Sequence, residues 1–85
     1  MEEVLSSRGR IRILSVLAKA GDLNISEIVK RTALNHLVVD RHLASLRDAS
    51  LIREKRYGRI RIFELNREDE RLKAIVELFR KWDLH

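Results

Sequence analysis

The sequence predicts a mainly α-helical fold with one β-hairpin, in the order helix, helix, helix, hairpin, helix. Three observations predict it. Apolar residues recur at helical spacing in four segments, each opened by a capping residue. Between the third and fourth segments, "LIREKRYGRIRIFEL" (51–65) switches to a period of two around Gly58. The gap between the second and third segments is only Ala33–Leu34, so two short helices must turn sharply on one another. With 85 residues, one domain spanning 1–85 is expected, with a real but modest core.

The first helix is capped by Ser6 or Ser7 and runs to about Ala20, where Gly21 stops it. Ile11, Leu14, Leu17 and Ala18 form its stripe, and Ile13 and Val16 widen it, so it touches more than one neighbour. The second helix opens with Asn24 and Glu27 in capping-box spacing and ends near Thr32; Ile25, Ile28 and Val29 are its buried side. Asn35 caps the third helix, which runs to about Ala49. Val39, Leu43 and Leu46 face the core with His42 beside them; Leu37, Arg41, Ala44 and Asp48 face away. The helix-turn-helix unit thus spans about 25–49.

The hairpin spans about 51–65. Tyr57-Gly58 makes a poor two-residue turn, because Tyr57 would need positive φ. A loop of Arg56, Tyr57 and Gly58 is expected instead. Lys55 then faces Arg59, Arg53 faces Arg61, Ile52 faces Ile62 and Leu51 faces Phe63. That register gathers Arg53, Lys55, Arg59 and Arg61 on one face near the tip. Like charges opposite one another are destabilising, so the cluster calls for an anion; the plainer alternative is protection of a strand edge.

The last helix, about 67–83, is capped by Asn66, with Glu68, Asp69 and Glu70 at its positive end. Leu72, Ile75, Val76, Phe79 and Trp82 form a stripe along it. Such a stripe is either intramolecular core or, at the end of a small domain, part of a homodimer interface that Val4 and Leu5 can join.

Charge is distributed unevenly. Of the net +5, residues 29–61 hold nine basic side chains against Asp40, Asp48 and Glu54, while the flanking segments are neutral or slightly acidic. A localised basic region is the footprint of a nucleic-acid surface. The chain has no cysteine, which excludes disulfides and thiolate-bound metal. No apolar run approaches the ~20 residues of a membrane span, and no signal peptide opens the chain, so a cytoplasmic protein is expected. Three glycines leave no place for a phosphate-cradling loop, and no nucleophile–base set is evident, so no enzyme is expected. His36 and Asp40 share a helical face, but two ligands do not make a metal site; neither metal nor cofactor is expected, and no small-molecule effector is evident.

Helix, helix-turn-helix, hairpin, helix is the winged-helix order. The pieces "RIRIL..L" in helix one, "L.ISEI" opening helix two, "V.RHL..L" in helix three and "LI......GR....EL" across the hairpin resemble winged helix-turn-helix regulators of the ArsR and MarR type, including small archaeal ones. The resemblance covers roughly residues 8–65. It implies a homodimeric transcription regulator that binds double-stranded DNA. Helix three would enter the major groove, and the wing would lie on the backbone or in the minor groove. Metal-sensing members carry two cysteines at the opening of helix two; those positions here are Asn24 and Ser26, so that site is absent. On this reading Asn35, His36, Leu37, Val38, Asp40 and Arg41 meet bases. Arginine suits guanine, asparagine adenine, aspartate the cytosine amino group and apolar side chains the thymine methyl. Arg53, Lys55, Arg56, Arg59 and Arg61 meet phosphates. Asn35 can instead serve only as a cap, and Asp40 can simply orient Arg41 or His36. Two other functions fit the same pattern: a protein-interaction module using the Leu72–Trp82 stripe, and a sequence-neutral architectural DNA protein.

Overall fold

The computed structural model describes residues 7–82. The elements are α1 (Arg8–Ala20), β1 (Leu23–Asn24), α2 (Ile25–Thr32), α3 (His36–Asp48), β2 (Ile52–Tyr57), β3 (Ile60–Leu65) and α4 (Glu70–Trp82). Leu5 and the side chain of Trp82, both assigned above to a dimer interface, lie outside what is described.

Three helices start where their caps predict. Ser7 accepts the Arg10 N–H at 3.3 Å, and Gly21 ends α1 with φ of 86°. At α2 the capping box is complete: Asn24 accepts from the Glu27 N–H at 2.9 Å, and Glu27 accepts from the Asn24 N–H at 3.2 Å. Asn35 accepts from the Val38 N–H at 2.8 Å to start α3. The short gap between α2 and α3 forces the chain round at Ala33, which ends α2 in the left-handed region with φ of 60°.

The fourth helix starts later than the Asn66 cap implies. Asp69 caps it, accepting from the Arg71 N–H at 2.8 Å and the Leu72 N–H at 3.3 Å. Asn66 instead donates through its side chain to the Ser50 carbonyl at 2.8 Å, pinning the end of the hairpin to its beginning.

The sheet has three strands in the order β1-β3-β2, all antiparallel. Leu23 and Asn24 pair with Phe63 and Ile62. A two-residue strand has no periodicity of its own and exists because β3 offers it an edge.

The hairpin register differs from the expectation by three positions. Lys55 lies opposite Ile62 rather than Arg59, Arg53 opposite Glu64 rather than Arg61, and Ile52 opposite Leu65 rather than Ile62. The turn is Gly58-Arg59, closed by the pair Tyr57–Ile60. Only Gly58 in it has positive φ, 62°, and a glycine in the first of two loop positions matches the strand twist. Burial then locks the register: Ile52, Phe63 and Leu65 share the inward face, and a slip by one would put Ile52 on the opposite face from Phe63 and Leu65. The shift splits the expected cationic cluster. Arg53 and Lys55 share a face with Glu64, Arg61 lies on the opposite face with Glu54, and Arg59 sits in the turn.

A Cβ on Gly58 would meet nothing within 4 Å, so the cost of Gly58→Ala is backbone strain alone, about 1–2 kcal/mol. Its melting temperature should fall by about 4–8 °C per kcal/mol. A circular-dichroism melt checks this, and Gly58→Asn should recover part of the loss because asparagine tolerates the left-handed region.

The core lies between the helices and the inner sheet face. Ile13, Leu14 and Leu17 of α1 meet Ile28 of α2, Val39, Leu43 and Leu46 of α3, and Ile52, Phe63 and Leu65 of the hairpin. Gly9 lets α1 cross α3 closely: a Cβ there would stand 2.5 Å from His42 Nε2. Leu72, Ile75 and Phe79 are also buried in this core. Those three side chains pack within the chain itself. Among the described side chains of α4, the apolar surface left over is half-buried Val76 and exposed Ala74 and Leu78.

Candidate nucleic-acid interface

Because Val39, Leu43 and Leu46 bind α3 to the core, the helix turns its first residues outward. His36, Leu37 and Arg41 are exposed, with Leu37 63% accessible; Val38 and Asp40 are half-buried. Asn35 uses its side-chain oxygen as the cap.

Asp40 does not orient Arg41 or His36. Its Oδ1 accepts from Arg61 Nη1 of β3 at 3.3 Å, which brings the start of α3 beside the wing. Arg61 is also bound to Glu54 of β2, through Nε at 2.9 Å and Nη2 at 3.3 Å, and lies 5.1 Å from the centre of the Phe63 ring. Arg47 of α3 and Arg56 of β2 reach the same carboxylate at 2.7 and 3.1 Å. The Glu54 side chain is only 8% exposed. Three guanidiniums on one shielded carboxylate form a network, in contrast to isolated surface pairs worth little.

Other wing cations are paired as well, Lys55 with Glu64 at 3.2 Å and Arg53 with Glu68 at 3.0 Å. The anion that the hairpin's positive charge calls for is thus largely supplied from within. Of the five wing cations named from sequence, Arg59 alone lacks an acidic partner among the described residues; Arg56 keeps 68% of its side chain exposed. Arg61 has all three of its guanidinium nitrogens engaged in these bonds.

Sequence reasoning missed Glu54 and Arg47 as members of this surface. Glu54 carried a signal, as the one acid within a basic strand, but its partners depend on the register. It also missed the wing tip, where Tyr57 and Ile60 are 62% and 55% exposed. A second basic surface went unread: Arg8, Arg12 and Arg31 rim a groove of about 590 Å³ floored by Ile11 and Val16. There Arg12 donates to the Thr32 carbonyl at 2.9 Å.

The network has a pH consequence. Its bond to Arg61 above all, with Arg56 and Arg47, lowers the Glu54 carboxyl from 4.5 to about 2. Asp69, held chiefly by Arg71, also falls to about 2. Burial, aided by Arg10, lowers His42 below 6.5. A carboxylate whose folded pKa is depressed stabilises above its unfolded pKa and loses that stabilisation as pH falls through the folded value. A histidine held neutral by burial opposes folding increasingly as pH falls below its unfolded value. The urea midpoint should therefore begin to fall below about pH 6.5 and fall most steeply between about 4.5 and 2. A series of urea titrations across that range checks it; a flat profile down to pH 3 would refute the network.

A sharply turned helix pair, an outward-facing second helix and a cationic hairpin beside it define a winged helix-turn-helix domain. The description "bacterial regulatory protein, arsR family" matches residues 7–54. The chain belongs to the ArsR family, which comprises regulators and not enzymes. It is 29% identical over 83 residues to the arsenic resistance transcriptional regulator ArsR1 of Pseudomonas putida, covering 92% of this chain and 65% of that one. HlyU of Vibrio cholerae has the same fold, with a TM-score of 0.82, 23% identity, and coverage of 95% of this chain and 85% of that one. So does the homodimeric winged helix-turn-helix DNA-binding domain Mb0332 of Mycobacterium bovis, with a TM-score of 0.77, 21% identity, and coverage of 96% and 73%.

Proposed function

We propose that this protein is a sequence-specific, double-stranded DNA-binding transcription regulator acting as a homodimer. Helix α3 enters the major groove, and the wing lies on the backbone or in the minor groove. The observation that carries this reading is the Asp40–Arg61 bond, which sets the exposed first turns of α3 beside the wing so that one duplex can meet both. His36, Leu37, Val38 and Arg41 face bases, with Asn35 at the edge of that surface. Arg56 and Arg59 face phosphates, and Arg53 and Lys55 reach them by exchanging a carboxylate for a phosphate. ArsR1 is named a transcriptional regulator and Mb0332 a homodimeric DNA-binding domain; both descriptions support the reading. A second copy would join through what α4 leaves open, Val76 and Leu78, with Leu5 and Trp82. The sequence has no cysteine, so it offers no thiolate for a soft metal or metalloid.

The test is selection from a random duplex pool, with sequencing, and sedimentation of the complex. A recurring motif of two half-sites and a dimer on the duplex support the reading; no enrichment and no retardation at low salt sink it.

One observation favours a second reading, a protein-interaction module. The apolar side chains Leu37 of α3 and Tyr57 and Ile60 of the wing tip are exposed, whereas Leu72, Ile75 and Phe79 of the stripe first considered for that role are buried. Stoichiometric capture of a protein partner that duplex DNA fails to displace would favour it.

A further inference from the structure

Glu54 is an acid at the centre of a surface that, on the reading above, meets a polyanion. It weakens the positive potential there, so its presence calls for an account. Stability is the plain one. The geometry of Arg61 points further. Its Nε and Nη2 are both committed to Glu54 and its Nη1 to Asp40 Oδ1, while Phe63 lies 5.1 Å from the guanidinium. A planar fork held on two edges and one face has no freedom to rotate. Asp40 belongs to α3, and its side chain is 47% exposed. Arg61 binds one of its oxygens; the other carries no bond among the described residues. Asp40 is thus a carboxylate aimed by its neighbour with one acceptor free, and a carboxylate in the major groove accepts from the amino group of cytosine.

We infer that Glu54 is a positioning residue for DNA reading: by fixing Arg61 it aims Asp40 of α3, and so sets a base preference of the protein. The inference rests on the DNA-binding function proposed above. With Glu54 in place, the fork of Arg61 is engaged and only one N–H reaches Asp40. Without its charge, Arg61 turns that fork onto Asp40 and neutralises it, while Arg47 and Arg56 are released toward phosphates. Loss of Glu54 should therefore give binding that is less selective, steeper in its salt dependence and tighter on random duplex. A residue that merely stabilised the fold would produce none of these three.

The experiment runs random-pool selection and salt titration in parallel on the wild-type chain, Glu54→Gln, Asp40→Asn and the double variant. Wild type is expected to prefer cytosine at one position of each half-site. That preference should drop by about fivefold or more in Glu54→Gln. The slope of log K against log salt should steepen by about 0.9 per phosphate gained. Asp40→Asn should lose the same preference, and the double variant should lose no more than either single one, because one pathway is broken twice. A folded Glu54→Gln with the wild-type motif and slope overturns the inference, as do additive losses in the double variant. If Glu54→Gln does not fold at the assay temperature, Arg61→Lys replaces it. That change keeps the charge but cannot bridge two carboxylates, and a wild-type motif from both Arg61→Lys and Asp40→Asn overturns the inference equally. Failure of the DNA reading itself shows separately, as a wild-type chain that enriches no duplex.

Discussion

A chain with glutamate at both Arg41 and Arg59 is expected to lose about a thousandfold in duplex affinity near 0.15 M salt. Both side chains are exposed, and neither has an ion pair among the described residues. Their charge is therefore available to DNA and owes nothing to an internal acid. Arg59 neutralises one phosphate per protomer and two per dimer, which at a slope of about 0.9 each amounts to roughly one and a half decades at this salt. Loss of the Arg41 base contact, about 1–3 kcal/mol in each protomer, supplies at least as much again before the repulsion of the new carboxylates is added. The slope itself should fall by about one for each phosphate that is no longer neutralised. Fold stability should move by no more than about 0.5 kcal/mol, since neither side chain touches the core. A gel-shift series from low to physiological salt, with a thermal melt as control, measures both quantities. An unchanged slope in the folded variant would remove α3 and the wing tip from the DNA surface. Reversing Arg53 is less informative: its bond to Glu68 means that Arg53→Glu places two acids together and disturbs the fold at the same time.

Reading the sequence worked where a local rule decides the structure. Ser7, Asn24 and Asn35 each satisfy free N–H groups within three residues, so the starts of α1, α2 and α3 are written locally. Val39, Leu43 and Leu46 announce the buried side of α3 by spacing alone. The hairpin register was not legible in the same way. Placing Gly58 last in a three-residue loop and placing it first in a two-residue loop both satisfy its positive φ. Only the tertiary requirement that Ile52, Phe63 and Leu65 be covered together separates the two. The error carried into the candidate site. With the wrong register Arg61 joins a cluster of bare cations; with the right one it lies across the strand from Arg56, beside Glu54. Asp69 rather than Asn66 capped α4 for a comparable reason: both are good caps, and the Ser50 carbonyl, near only in the folded chain, claimed Asn66.

The same register alters what the charge of residues 29–61 means. Counting side chains suggests a wing that waits for an anion. In the fold, Glu54, Glu64 and Glu68 already answer most of that charge, and the cations left over are spread over α3, the wing tip and the α1–α2 groove. On the proposed DNA-bound arrangement, phosphates would compete with carboxylates for Arg53, Lys55 and Arg56. Such exchange contributes less affinity than a bare cation, but it makes those interactions depend on where the phosphates fall. This is a physical route from a basic surface to a selective one.

Phe63→Ala is expected to destabilise the fold by about 3–5 kcal/mol, the range for truncating a buried aromatic side chain. Phe63 is fully buried in β3. Like Ile62, it joins the sheet on both sides, since it pairs with Leu23 of β1 and with Glu54 of β2. Native stability of roughly 0.05–0.15 kcal/mol per residue gives an 85-residue chain about 4–13 kcal/mol in total. A loss of this size leaves the variant marginal or unfolded at 37 °C. Urea denaturation followed by circular dichroism measures it, and a loss below about 1 kcal/mol would mean that Phe63 is not the centre of the core. Phe63→Leu should recover much of the difference, because it refills part of the cavity. It would not restore the aromatic face beneath Arg61, whose attraction for the guanidinium contributes about 0.5–2 kcal/mol. At a temperature where Phe63→Leu is fully folded, it should therefore still bind duplex with the wild-type salt slope, yet discriminate less well among sequences. The core and the proposed reading surface meet at this ring, so its packing and its chemistry can be separated by these two substitutions.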